Sequence, residues 1–289
     1  MLCMVNELDV QAPLLLIGAG RSGTTLVMRL FRSHPDIDFR GETSFLIPRL
    51  WKESFENRFW YNWEAYVARH PNSAFEPFPI LQDWEERKLR EHIGAVVANF
   101  AAELLRVDRN AKAWGYKELW NGTRSFDYAW TIYDDVFPRA TWVHLIRNPF
   151  SFCRSAARWM RQPLTIRNIL ERLSEWVEIT RCCQERAVLN PYFQIRYEDV
   201  CSQARETLEP LLDSIGLPWK EELQDQLRYK ILDSGASHYQ RSGDGFPSLD
   251  YFTERVEGLA ELMCQFRYKS IPLELEIEAE NEQDVIVRL

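Results

Sequence analysis

Gly18-Ala19-Gly20-Arg21-Ser22-Gly23-Thr24-Thr25 lies between an apolar run, Leu14 to Ile17, and an amphipathic stretch from Leu26 to His34. The order reads as strand, glycine-rich turn, helix. Such a turn aims backbone N–H groups and the positive end of a helix dipole at one point, where a phosphate or sulfate can rest. The flanking sequence repeats the alternation. Residues 13–18, 37–40, 113–118, 141–146 and 193–196 read as strands. Residues 23–34, 89–107, 126–136, 150–160, 166–189, 205–215 and 252–266 read as helices. Aromatic residues from Trp51 to Tyr66 recur at helical spacing, residues 71–83 read as a loop, and the chain ends in a glycine-rich loop (234–247), a helix and an acidic tail. Strands alternating with helices predict a three-layer α/β sandwich around a mainly parallel sheet. Ligands then bind at the carboxyl ends of the strands, where Gly18, Glu118, Arg147 and Arg196 fall.

The 289 residues contain no Gly/Ser- or Pro-rich linker and no internal repeat, which predicts one domain over 1–289, with a core at 13–217 and an extension at 218–289. An apolar fraction of 46% supports a sizeable core. A net charge of −8 and a pI near 5.3 argue against nucleic acid as partner. The six cysteines form no C-x-x-C pair, metal spacing or dense disulfide framework, which fits a reducing compartment. Cys182-Cys183 reads as helix packing. No apolar run approaches the ~20 residues of a membrane span, and no secretory signal precedes Pro13. The expectation is a cytoplasmic protein without membrane contact. The oligomeric state is not legible.

The glycine-rich loop fits two general nucleotide templates imperfectly. Gly18 and Gly23 have the spacing of the triphosphate loop G-x-x-x-x-G-K-[ST], but Thr24 replaces its lysine. The strand that should deliver a metal-binding Asp, Thr141 to Ile146, is followed by Arg147. Both departures argue against ATP or GTP hydrolysis. Gly18, Gly20 and Gly23 also match the dinucleotide pattern G-x-G-x-x-G, with Glu42 19 residues after Gly23. Two β-branched threonines at the helix start and the break at His34-Pro35 fit that pattern poorly.

A third template uses Arg21 and both threonines. Arg21-Ser22-Gly23-Thr24-Thr25, then His34-Pro35 and Gly41-Glu42-Thr43, resembles the 5′-phosphosulfate loop of sulfotransferases, nearest to the branch of protein-tyrosine sulfotransferases and bacterial relatives. Leu145-Ile146-Arg147-Asn148-Pro149, with Ser155 eight residues after Arg147, is similar to the family's 3′-phosphate motif. Trp114-Gly115-Tyr116-Lys117 is similar to its internal lysine segment, and Arg196-Tyr197-Glu198-Asp199 to a later strand-to-helix element. The ordered matches run from about Pro13 to Leu217.

The resemblance implies a P-loop NTPase-like fold and a transferase taking a sulfuryl group from 3′-phosphoadenosine 5′-phosphosulfate (PAPS). It implies that the loop residues Arg21, Ser22, Gly23, Thr24 and Thr25 hold the phosphosulfate. Arg147 and Ser155 are expected on the 3′-phosphate, Arg196 and Arg241 as further nucleotide contacts, Lys117 as the residue that polarises a transferring oxygen, and Glu42 as general base. No metal is expected, because arginines and N–H dipoles take its electrostatic role. The acceptor is expected to be a small molecule with a hydroxyl or amine. Two other classes stay open on sequence: an NAD(P)- or flavin-dependent oxidoreductase using the G-x-G-x-x-G loop, and a non-catalytic nucleotide-binding protein.

Overall fold

The computed structural model describes residues 8–52, 86–120, 126–161, 164–186, 191–227, 247–268, 276–279 and 285–288. In chain order the elements are β1 (Leu14–Ala19), α1 (Thr24–Ser33), β2 (Ile37–Glu42), α2 (Leu46–Trp51), α3 (Glu86–Leu104), β3 (Ala113–Trp120), α4 (Phe126–Val136), β4 (Thr141–Ile146) and α5 (Pro149–Met160). They continue with β5 (Leu164–Thr165), α6 (Ile166–Arg186), β6 (Tyr192–Arg196), α7 (Tyr197–Ser202), α8 (Ala204–Ser214), α9 (Glu221–Gln226), α10 (Leu249–Thr253), α11 (Leu259–Gln265), β7 (Glu276–Ala279) and β8 (Val285–Arg288). Five strands form a wholly parallel sheet in the order β2-β3-β1-β4-β6.

The unbroken apolar sequence of β1 follows from its place between β3 and β4, with both faces covered. Its side chains alternate between two cores. Leu14 and Leu16 pack with Leu26, Leu30 and Phe31 of α1 and with Leu208, Leu211 and Leu212 of α8. Leu15, Ile17 and Ala19 join the other core, built from α2 to α6 and the later helices α10 and α11. In β4, Val143 and Leu145 face the first core, and Trp142 and Ile146 the second. Helices α1 and α5, which follow the adjacent strands β1 and β4, therefore lie on opposite faces of the sheet. A crevice opens between their first turns at the carboxyl edge.

After Leu217 the chain adds Leu223 of α9 to the first core and α10 and α11 to the second. Phe252 meets Phe150 edge-on at 5.4 Å and Phe266 meets Trp176 at 6.2 Å. The helix expected over 252–266 is two short helices, because the left-handed Gly258 (φ 81°) starts a new one beside the Arg181 guanidinium. The end of the chain is more than an acidic tail: β7 and β8 pair antiparallel, and β8 pairs with β5.

Candidate active site

The crevice is a cleft of about 690 Å³. It is lined by Arg21, Gly23, Thr24, Thr25, Glu42, Lys117, Arg147 and Ser155, so one site gathers most of the residues singled out from sequence. Ser22 is buried beneath it, with its N–H on the Ala19 carbonyl at 3.2 Å. Arg196 does not line the cleft. It pairs with Asp199 at 3.1 Å and lies over the Tyr268 ring at 4.7 Å. Arg241 lies outside the described residues, as does the aromatic run after Trp51; Trp51 itself is a core residue.

The loop holds α1 in an unusual start. Gly23 is left-handed (φ 98°), and a Cβ there would sit 2.1 Å from the Tyr197 ring. Among the described residues no side chain caps α1, and its first turn holds no acid. Those N–H groups and the dipole thus face the cleft without an internal counter-group.

Two arginines cross above this start. Arg21, itself left-handed (φ 76°), donates through Nε to Ser155 Oγ at 3.3 Å and spans the Trp159 ring at 4.9 Å. Arg147 donates through Nη1 to the Arg21 carbonyl at 3.3 Å and lies over the Tyr197 ring at 4.5 Å. Neither has a carboxylate partner among the described residues. The backbone around Arg147 is well fixed. Its carbonyl accepts from Trp176 Nε1 at 3.1 Å. Asn148 then caps α5 through the N–H groups of Phe150 and Ser151, with Pro149 at the first helical position. The Asn148 N–H donates to Glu198 at 2.9 Å, which ties this turn to α7.

On the other side of β1, the sheet brings Glu42 to Lys117. Strand β2 runs two residues further than the sequence pattern suggests. Arg40 pairs with Tyr116, but Glu42 pairs with Lys117, so Gly41 is an extra residue. This bulge turns Glu42 to the face that Lys117 occupies. Lys117 Nζ lies 3.3 Å from Glu42 Oε2, with the lysine side chain 10% exposed and the glutamate 39%.

Sequence reasoning passed over three features of the cleft. Tyr197 is part of the Arg196–Asp199 motif in the sequence, and its ring packs between Gly23 and Arg147. Trp159 and Met160 end α5 as an exposed apolar lip; the i, i+4 spacing from Ser155 to Trp159 was the available signal. Arg172 and Glu175 of α6, paired at 2.7 Å, form a further wall.

The family model described as the sulfotransferase family matches residues 13–221. The chain belongs to the sulfotransferase family. The sulfotransferase domain of the Synechococcus PCC 7002 olefin synthase is similar in structure, with a TM-score of 0.55 at 18% identity over 89% of this chain and 95% of that one. Sulfotransferase STF9 from Mycobacterium avium gives 0.45 at 15% identity over 92% and 79%. Mouse sulfotransferase SULT7A1, solved with PAP, gives 0.44 at 12% identity over 75% and 64%. No curated protein matches the sequence. The fold is the P-loop-like α/β sandwich expected from the sequence.

Two histidines of this sulfotransferase are structural. His34 Nδ1 accepts the Asp36 N–H at 3.1 Å, so Nε2 carries the proton and donates to the Pro218 carbonyl at 3.0 Å. His144 is buried in β4 beside the Tyr192 hydroxyl at 2.7 Å, and burial pushes its pKa down to about 3. The unfolded chain binds a proton at His144 below about pH 6.5, whereas the folded one does not until near pH 3. Stability contributed by neutral His144 is therefore lost as pH falls through that window. Relative to His144→Gln, the wild type is expected to lose about 2 kcal/mol between pH 7 and pH 5. Urea unfolding at the two pH values checks this; parallel losses in both proteins would refute it. Among the described residues, no helix is long and apolar enough to cross a membrane.

Proposed function

We propose that this sulfotransferase moves a sulfuryl group from PAPS to a hydroxyl or amine of a small-molecule acceptor, with Glu42 as general base. The observation that carries the donor is the pair Arg21 and Arg147. Both face one cleft without carboxylate partners among the described residues, in a chain of net charge −8. Partly buried cations kept without counter-charge fit a site whose ligand brings the anions. Two such cations suit a nucleotide with anions at two positions. The 5′-phosphosulfate is assigned to the start of α1 with Arg21, Gly23, Thr24 and Thr25. The 3′-phosphate is assigned to Arg147, whose planar fork suits phosphate, and to Ser155. Tyr197 offers a flat surface beside them. Arg196 has no part in this assignment, since Asp199 and Tyr268 occupy it.

PAPS supplies a sulfuryl group on a phosphate leaving group. Glu42 takes the acceptor proton as the new bond to sulfur forms and the bond from sulfur to the 5′-phosphate oxygen breaks. The charge left on that phosphate meets Arg21, Lys117 and the dipole of α1. These groups supply the positive charge that phosphoryl-transfer enzymes take from metal ions. Lys117 is poised for this role because burial in β3 limits its motion. Phe152, Leu119, Trp159 and Met160 give the cleft apolar walls for an acceptor. The extension packs into the same core as 13–217, which supports a single catalytic domain.

Incubation with sulfur-labelled PAPS and a panel of phenols, alcohols and amines, read by mass, tests this function. The expected result is a sulfated product with one adenosine 3′,5′-bisphosphate (PAP) released per transfer. Unconsumed PAPS across the whole panel, with PAP bound normally, would favour a non-catalytic nucleotide binder.

A further inference from the structure

Lys117 and Glu118, 8% and 2% exposed, are the only charged side chains buried among the described residues. They are neighbours on β3 and therefore face opposite sides of the sheet. Lys117 reaches Glu42 in the cleft. Glu118 turns inward and is absent from the cleft lining. Its Oε1 accepts the Phe45 N–H at 3.1 Å, and its Oε2 accepts the Thr43 hydroxyl and, at 3.1 Å, the Tyr133 hydroxyl. Two of these three donors belong to the residues just after Glu42. The same turn holds two consecutive left-handed non-glycine residues, Ser44 (φ 52°) and Phe45 (φ 60°). Such backbone persists only where its surroundings impose it.

We infer that Glu118 is a positioning residue: by gripping Thr43 and Phe45 it fixes the strained turn after the β2 bulge and so sets Glu42 against Lys117. The inference rests on the reading of Glu42 as base. A carboxylate is a costly group to bury for packing alone, and an apolar side chain would fill the space. Burial pushes the Glu118 carboxyl upward, the bonds from Thr43, Phe45 and Tyr133 oppose this, and the charge of Glu42 adds to it. Glu118 does not touch the cleft; it acts through the turn.

The test uses the full chain with Glu118→Gln, Thr43→Val and Thr43→Ser. Three quantities are read: amide hydrogen exchange over 43–46, the Kd for PAP, and kcat with an acceptor found in the panel. Thr43→Val keeps the shape of the side chain and removes the hydroxyl, so it serves if Glu118→Gln does not fold. Glu118→Gln and Thr43→Val are expected to speed exchange over 43–46 and lower kcat by about tenfold or more, because small misplacements of a reacting group are costly. The Kd for PAP stays near the wild-type value, and Thr43→Ser behaves as wild type. Unchanged exchange over 43–46 would overturn the inference without reference to turnover. So would faster exchange with unchanged kcat. Glu42→Gln separates the two readings. Full turnover there overturns the base and the catalytic meaning of the clamp with it. Lost turnover there, with unchanged kcat in Thr43→Val, overturns the clamp alone.

Discussion

Glu42→Gln is expected to lower kcat by about 10²–10⁴-fold, the range that a positioned general base supplies. The Kd for PAP should barely move. The amide keeps the length and shape of the side chain but cannot take the acceptor proton. Lys117 remains on β3, and Arg21, Arg147 and the start of α1 are untouched, so the groups assigned to the nucleotide stay in place. Because proton transfer to Glu42 takes place only in the transition state, kcat and kcat/KM should fall together. Steady-state kinetics and calorimetry on one preparation check both halves. A kcat within a few-fold of wild type would remove Glu42 as base. A large rise in Kd would show that it holds the nucleotide instead.

Arg147→Ala should weaken PAP far more than adenosine 5′-monophosphate, which lacks the 3′-phosphate. A hydrogen bond to a charged group contributes about 1.5–3 kcal/mol, which corresponds to roughly 10- to 150-fold in Kd. Arg147→Lys should recover only part of the loss, because an ammonium lacks the planar fork that grips phosphate in two places. The Arg147 side chain also rests on Tyr197 and donates to the Arg21 carbonyl. The Kd for adenosine 5′-monophosphate reports any general damage from losing those contacts. Equal losses for both nucleotides would contradict the 3′-phosphate assignment.

The parallel sheet and its carboxyl edge were legible because both faces of β1 and β4 are buried, which leaves β1 wholly apolar and β4 polar only at Thr141 and His144. The loop was legible because its glycines and Arg21 all fall within residues 18–23. The meeting of Glu42 and Lys117 was not. It depends on a register shift at Gly41, and pairing register is a property of two strands, not of either sequence. The role of Glu118 was hidden for the same reason, since its donors come from a turn 73 to 75 residues away. Arg196 was ambiguous because an arginine at a strand end looks alike whether it faces a ligand or, as here, an aspartate three residues on. The terminal hairpin did leave a signal: Glu274 to Glu278 alternates charged and apolar, and Val285-Ile286-Val287 is β-branched throughout. The acidic charge of that stretch masks its period of two.

The cleft's identity as a site for a 3′-phosphorylated adenine nucleotide is the claim on which the rest depends. Calorimetric titration of the wild-type chain with PAP, adenosine 5′-monophosphate, NAD and FAD tests it most directly. The predicted result is one saturable site for PAP, weakened at least about tenfold when the 3′-phosphate is missing, with no binding of NAD or FAD. Binding of NAD or FAD by a chain that ignores PAP would contradict it.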